Sequence, residues 1–399
     1  MTTTGSTARP YPFSPPDRLN LDPAYAEVRD GPLVRVRLAY GDDAWLVTRY
    51  QDVKTVLSDL RFSRAAAVRS DEPRARPLRM RPDVILSMDP PDHTRLRRLV
   101  AKAFTARRVA ALHPRTEGIA DRLVGEMLAA GAPADLVERF SVPLVIAVIC
   151  ELLGVPFEDR SRFRVWCEAI VATTAYTPGE VQEHTDALRA YVAELIELRR
   201  AEPADDLITG FVEARDDHDR LSEAEMVSLA MTLLITGQGA TVSQIPNFVY
   251  ALLIREGAWA RLVADPDLIP AAVEELTRHV PLGEASDMAR YALEDVELSG
   301  GTVRAGEAVI PFISVANRDP AVFDDPEEVV LDREYNPHLG FSHGVHHCLG
   351  AQLARQELRV ALRVLTRRCP RLRFAVPEPE LPWKTGSLAR GLTALPVSW

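Results

Sequence analysis

Apolar and polar positions alternate over residues 33–48, LVRVRLAYGDDAWLVT, on either side of a Gly-Asp-Asp turn, and this spacing predicts a hairpin. From about 92 to 280 the apolar positions recur with helical spacing, broken by Pro-Gly at 178–179 and by a polar stretch near 215–220. Strand-like pieces return at 289–313, among them Tyr291 to Leu298 and Val309 to Phe312. A proline-studded stretch without periodicity runs from 314 to about 340, and a last helix is expected from near Cys348 to about Arg368. The tail GLTALPVSW has hairpin character, and the proline-rich residues 1–20 read as an irregular arm. No repeat or low-complexity linker appears. The expectation is one domain over 1–399, mainly α with a smaller β portion drawn from both ends of the chain (α+β). A structureless stretch as long as 314–340 is expected to be functional or wrapped around something.

Composition narrows the class. The chain has 399 residues, 47% of them hydrophobic and 26% charged, which suits a globular protein with a core large enough to enclose a bulky cofactor. A net charge of −10 argues against a nucleic-acid partner. The start, MTTTGSTARPYPFSPP, lacks the charged and apolar regions of a signal peptide. Val142 to Leu153, the most apolar run, carries Pro143 and Glu151 and is too short to span a bilayer, so it is expected as a buried helix. A soluble, cytoplasmic protein with no membrane partner is expected. Cys150, Cys167, Cys348 and Cys369 have no CxxC spacing, which leaves reduced thiols rather than a zinc site or a disulfide framework.

The sharpest local signal is Phe341-Ser342-His343-Gly344-Val345-His346-His347-Cys348-Leu349-Gly350, followed at once by helical AQLARQELRVALRVL. A cysteine at the mouth of a helix meets free N–H groups and a positive dipole, both of which favour its thiolate. Gly344 permits a tight turn, and Gly350 lets a flat object approach the backbone. Taken alone, a lone cysteine is more often a buried loop residue. Adjacent His346 and His347 point apart and do not make a zinc site.

The pattern F-x-x-G-x-H-x-C-x-G resembles the haem-binding loop of the cytochrome P450 family, of the soluble bacterial, actinomycete-like type that tailors natural products. The resemblance runs from about residue 20 to the end. It implies a P450 fold, with haem b buried between a long oxygen-side helix and the cysteine-bearing loop and helix. It also implies that Cys348 is the iron ligand, that Phe341 packs beside the sulfur and that His346 faces a haem propionate. His93 and Arg97, four apart on one helix face, and Arg290 and His338 fall at positions that bind propionates in the family. Glu275 and Arg278, with Arg333 further on, resemble the family's structural triad, which fixes the 314–340 segment beneath the haem.

One landmark departs from the family. The oxygen-side helix, usually A-G-x-[D/E]-T-[T/S], reads Thr236-Gly237-Gln238-Gly239-Ala240-Thr241. Gly239 stands at the acid position and Ala240 at the alcohol position, and Thr241 is about 100° around the helix unless Gly237 and Gly239 distort it. Dioxygen activation needs two protons, and a site closed to water needs a relay for them. Water held by Gln238, Thr241 or Ser243, a substrate hydroxyl or amide, or a coupling reaction that inserts no oxygen are the readings this leaves open.

By the same resemblance the substrate pocket draws on Val84, Ile85, Leu86 and Ser87, on Leu233, Thr236, Gly237 and Ala240, and on Leu282, Ser286 and Leu388. The 165–185 region belongs to it as well. Small and apolar side chains dominate, which suits a hydrophobic organic substrate with Ser87, Gln238 or Ser286 as polar anchors. Electrons from NAD(P)H would arrive through a separate ferredoxin and ferredoxin reductase, with Arg95, Arg98, Lys102 and Arg355 as docking candidates. The expected activity is oxidation of a natural product by hydroxylation, epoxidation or oxidative coupling. The competing reading is a non-catalytic haem-thiolate protein that binds or senses a ligand.

Overall fold

A computed structural model describes residues 8–101, 104–216, 221–283 and 288–399. The chain divides into two compact units, each assembled from distant segments. The first comprises Met1–Thr94, Thr277–Val329 and Tyr335–Cys348; the second comprises Arg95–Leu276, Val330–Glu334 and Leu349–Trp399.

The first unit is built on a six-stranded sheet. The hairpin expected at 33–48 forms, with Val34–Arg37 antiparallel to Ala44–Val47. Ala308–Pro311 runs parallel to Ala44–Val47, and Arg290–Ala292 and Phe62–Ser63 extend the sheet antiparallel. The arm expected to be irregular is only partly so. Arg9–Pro10 adds a parallel edge strand to Val34–Arg37. Behind it Tyr11 meets Phe312 at 5.9 Å edge-on, and Phe13 stacks on Tyr25 at 4.6 Å. Aromatic burial holds a segment whose prolines alone suggest a loose coil.

The long stretch after 314 is held by polar staples. Asn317 Oδ1 accepts from the Leu339 amide at 2.7 Å, and Asp319 Oδ2 accepts from the Tyr50 amide at 2.9 Å. Arg278, 1% exposed, donates to the carbonyls of Asn317, Pro326 and Glu328 at 2.8–2.9 Å. Buried backbone groups outside regular structure need such partners.

The second unit is helical, with a small sheet. Glu223–Leu253 is its longest helix, opened by a capping box in which Ser222 and Glu225 satisfy each other's amides. Its middle passes a length and composition test for crossing a membrane, but 67% of that window is buried inside the protein. Pro246 removes the bond that would reach the Val242 carbonyl, and the Ser141 hydroxyl donates to that carbonyl at 2.8 Å instead. Val142–Leu153 is the buried helix expected and packs on the long one, as does Ala351–Arg368. The tail differs from expectation. Pro396–Ser398 pairs with Arg373–Phe374 and Ala134–Asp135, because a strand end finds its partner across the fold rather than next along the chain.

Candidate active site

In the first unit, one loop sets out a sulfur. Ser342 and Gly344 have left-handed φ values of 62° and 70°. A Cβ on Gly344 would stand 2.4 Å from the Leu57 carbonyl oxygen, so this turn has room only for glycine. The Cys348 amide donates back to the Phe341 carbonyl at 2.8 Å and closes the loop. Cys348 is exposed, while Cys150, Cys167 and Cys369 are buried. Burial pushes the Cys167 thiol up to about 12 and the Cys369 thiol up to about 11, so neither offers a thiolate near neutral pH. The helix expected near Cys348 begins at Ala351, after its N-cap Gly350; a Cβ on Gly350 would meet nothing within 4 Å.

Basic groups gather in the same unit. The His93 and His346 rings lie 4.4 Å apart, and His93 is 2% exposed. Arg290, 5% exposed, opens its strand and donates to the Met288 carbonyl. His338 Nδ1 accepts from the Gly340 amide at 3.1 Å, and its ring is 6.0 Å from Phe341. The segment before His93 is anchored by Asp89, which accepts from the Ser63 hydroxyl and the Arg64 amide at 2.5 and 2.9 Å. Val84 leads into a short turn, Ile85–Ser87, whose Ser87 Oγ is buried with no hydrogen-bond partner among the described residues. Leu282 is half-buried, and Ser286 lies outside the described residues.

In the second unit, Glu275 is 0% exposed and accepts from Arg333 Nε at 3.0 Å and from the Val330 amide at 2.9 Å. The expected acid–arginine contact is therefore present, and Arg278 serves a different stretch, in the first unit. Arg97 lies one turn along from His93 on the helix Asp92–Ala101.

The oxygen-side motif is an unbroken part of the long helix, without the distortion its glycines suggested. Gly237 was expected in the pocket, but a Cβ there would strike Ile149 Cδ1 at 2.7 Å. It is a packing position against Val142–Leu153. A Cβ on Gly239 meets nothing within 4 Å, so the acid position is open. Thr236 back-bonds to the Thr232 carbonyl at 2.7 Å, and Ser243 accepts from Lys384 at 3.1 Å. Leu233 is buried in the core. The Leu388 amide donates to the Val171 carbonyl at 3.1 Å, which joins two of the expected pocket segments.

Sequence reasoning missed one residue here. Glu357, on Ala351–Arg368, is 2% exposed and hydrogen-bonded to the Thr241 side chain. Burial raises its carboxyl well above the usual carboxylate range, against the pull of the Thr241 hydroxyl. Gln238, one helical turn before Thr241, has its Oε1 buried without a hydrogen-bond partner among the described residues. The signal for Glu357 was an acid on an apolar stripe, between Leu353 and Ala361, both buried.

The cytochrome P450 family profile matches residues 17–379. The chain belongs to the cytochrome P450 family. Mycinamicin IV hydroxylase/epoxidase of Micromonospora griseorubida is 51% identical over 397 residues, covering 99% of this chain and all of that one. Nocardicin C N-oxygenase of Nocardia uniformis subsp. tsuyamanensis is 51% identical over 398 residues, with 99% and 100% coverage. Among solved structures, the LnmA cytochrome P450 hydroxylase of the leinamycin pathway of Streptomyces atroolivaceus superposes with a TM-score of 0.92. It has 52% sequence identity and covers 98% of this chain and 100% of that one. The fold is thus the P450 fold, and the chain is an oxidoreductase of this family.

The family's prosthetic group is haem iron, and the residues of this P450 fit it. In this family haem iron is held by a cysteine thiolate, and Cys348 is the one exposed cysteine among the described residues. The two propionates need cationic or hydrogen-bonding partners, and His93, His346 and Arg290 are buried or half-buried basic groups in the unit that also carries Cys348.

Two of the docking candidates are already engaged. Arg95 pairs with Glu225, and Arg355 shares Glu274 with Arg359 at 2.9–3.0 Å. Arg98 is exposed, and Lys102 lies outside the described residues.

Proposed function

We propose that this P450 is a cytoplasmic monooxygenase that oxidises a hydrophobic natural product, with Cys348 as iron ligand and a buried Glu357–Thr241 pair as its proton store. Haem, when bound, supplies the binding and reductive activation of dioxygen. His93, Arg97, Arg290, His338 and His346 would hold its propionates, with Phe341 against the sulfur. Arg278 ties down backbone at Asn317, Pro326 and Glu328, and Glu275 binds Arg333 and the Val330 amide.

The observation that supports the proton assignment is the burial of the Glu357 carboxyl beside Thr241, which raises its affinity for a proton. Thr241 lies on the helix that has Gly239 and Ala240 where the family pattern has its acid and alcohol, and Glu357 reaches it from Ala351–Arg368. A carboxyl whose affinity for protons is raised by burial holds one near neutral pH and releases it when charge develops nearby. The Thr241 hydroxyl beside that carboxyl stabilises its ionised form, which eases release of the proton. Gln238 Oε1, an acceptor without a partner among the described residues, is suited to steady a buried water beside the pair.

The substrate class rests on the relatives, which act on mycinamicin IV and nocardicin C, and on the apolar composition of the expected pocket. Oxygen insertion, as hydroxylation, epoxidation or N-oxygenation, is the reading those relatives favour. Electrons come from NAD(P)H through a ferredoxin and its reductase.

The test is a spectrum followed by turnover. The reduced carbon monoxide adduct is expected to be of thiolate type, and candidate substrates are expected to displace water from ferric iron in optical titration. Hits incubated with ferredoxin, reductase and NAD(P)H should give product in step with NAD(P)H use. An imidazole-type adduct would remove the ligand assignment. Uncoupled peroxide release with every hit would leave a ligand-binding protein rather than an enzyme.

A further inference from the structure

Residues Thr236, Ala240, Ser243, Asn247 and Tyr250 recur along one face of Glu223–Leu253 at helical spacing. The last three all grip the C-terminal segment. Ser243 Oγ accepts from Lys384 Nζ at 3.1 Å, and Asn247 Nδ2 donates to the Arg390 carbonyl at 3.0 Å. The Tyr250 ring meets Trp383 edge-on at 5.0 Å, and its hydroxyl donates to Glu378 at 2.5 Å. Ser243, Asn247 and Tyr250 are 1%, 0% and 3% exposed, so water does not compete for these contacts.

The turn between the grips is closed by two contacts. The Lys384 amide donates to the Gly391 carbonyl at 2.7 Å, and Trp383 bridges Leu392. Gly391 lies so near the helix that a Cβ would stand 3.0 Å from that of Ser243. On its other side, Ser387 bridges Ala172, and the Gly386 carbonyl accepts from the Thr173 amide at 2.8 Å. Leu388 sits at the tip of this turn.

We propose that Lys384 and Asn247 are positioning residues that lock the Leu388 turn to the helix face bearing Ala240, and so set which part of a bound substrate is presented for oxidation. The inference rests on the reading of Leu388 and Ala240 as pocket residues. A fixed register matters because a reacting atom displaced by about an ångström costs on the order of a hundredfold in rate. Lys384 suits the role, since its stem is buried and burial holds its ammonium below the usual lysine range.

The test uses holoprotein and two iron-binding probes, imidazole and the bulkier phenylimidazole. In Lys384→Met and in the milder Ser243→Ala, phenylimidazole should bind about tenfold more weakly, while imidazole changes by less than about twofold. The double variant should add nothing to either single one, since both remove the same bond. Hydrogen exchange at 386–391 should accelerate in Lys384→Met and Asn247→Ala, with the carbon monoxide spectrum unchanged. Unchanged ratios of the two affinities in both single variants, with unchanged exchange, would overturn the proposal. If unaltered holoprotein binds neither probe, the haem-thiolate reading itself fails, and it does so before any variant is made.

Discussion

The cysteine loop in the first unit and the long helix in the second are held in place in contrasting ways. The loop is short and fixed by its backbone, through left-handed residues at Ser342 and Gly344 and the Cys348–Phe341 hydrogen bond. The helix is held by apolar packing along its length, and it has Gly239 and Ala240 where the resemblance leads one to expect an acid and an alcohol. Yet a buried acid is still present, brought by Glu357 from another helix. A metal ligand must be one particular atom in one place, whereas a proton can be delivered by any element that packs alongside. The first requirement keeps a residue; the second keeps only a location.

Several substitutions separate the two regions, and the largest effect belongs to the loop. Cys348→Ala should abolish the thiolate-type carbon monoxide spectrum and all turnover, since no other described cysteine is exposed. Next comes Glu275→Ala, which leaves Arg333 and the Val330 amide facing an empty, buried site. Urea unfolding should register a loss of about 3–5 kcal/mol.

Glu357→Gln tests the helix. Product formed per NAD(P)H should fall about a hundredfold while haem binding is kept. Its stability also carries a sign. A carboxyl whose folded-state pKa is raised stabilises the fold below the ordinary Glu range, and that contribution is lost as pH rises through the raised value. The stability of the unaltered protein relative to Glu357→Gln should therefore decline with rising pH. A difference that does not vary with pH in urea melts would remove the buried-acid assignment.

The smallest change is Gly239→Ala, at a mid-helix position where a Cβ meets nothing within 4 Å. It should stabilise the protein by about 0.5–1 kcal/mol in a thermal melt. If it destabilises instead, the space beside the acid position is not free.

Much of this was readable residue by residue. The hairpin at 33–48, the buried helix at Val142–Leu153 and the cysteine loop all depend on local spacing, which sequence carries directly. The arm at 8–13 and the tail at Pro396–Ser398 were misjudged because their partners lie elsewhere in the fold. Glu357 was passed over because its partner Thr241 lies on another helix, and its place on the apolar stripe of Leu353 and Ala361 marks burial but names no partner.

Position by position, the chain carries Cys348 at the mouth of a helix, Gly344 in the turn before it, and Gly239 and Ala240 in the long helix. Each of these follows from side-chain chemistry or backbone freedom at a single position. The packing of Gly237 against Ile149, the bond from Lys384 to Ser243 and the burial of Glu357 beside Thr241 come from the folded chain alone. Burial and hydrogen bonding between distant segments set those roles, and they exist only once the chain has closed on itself.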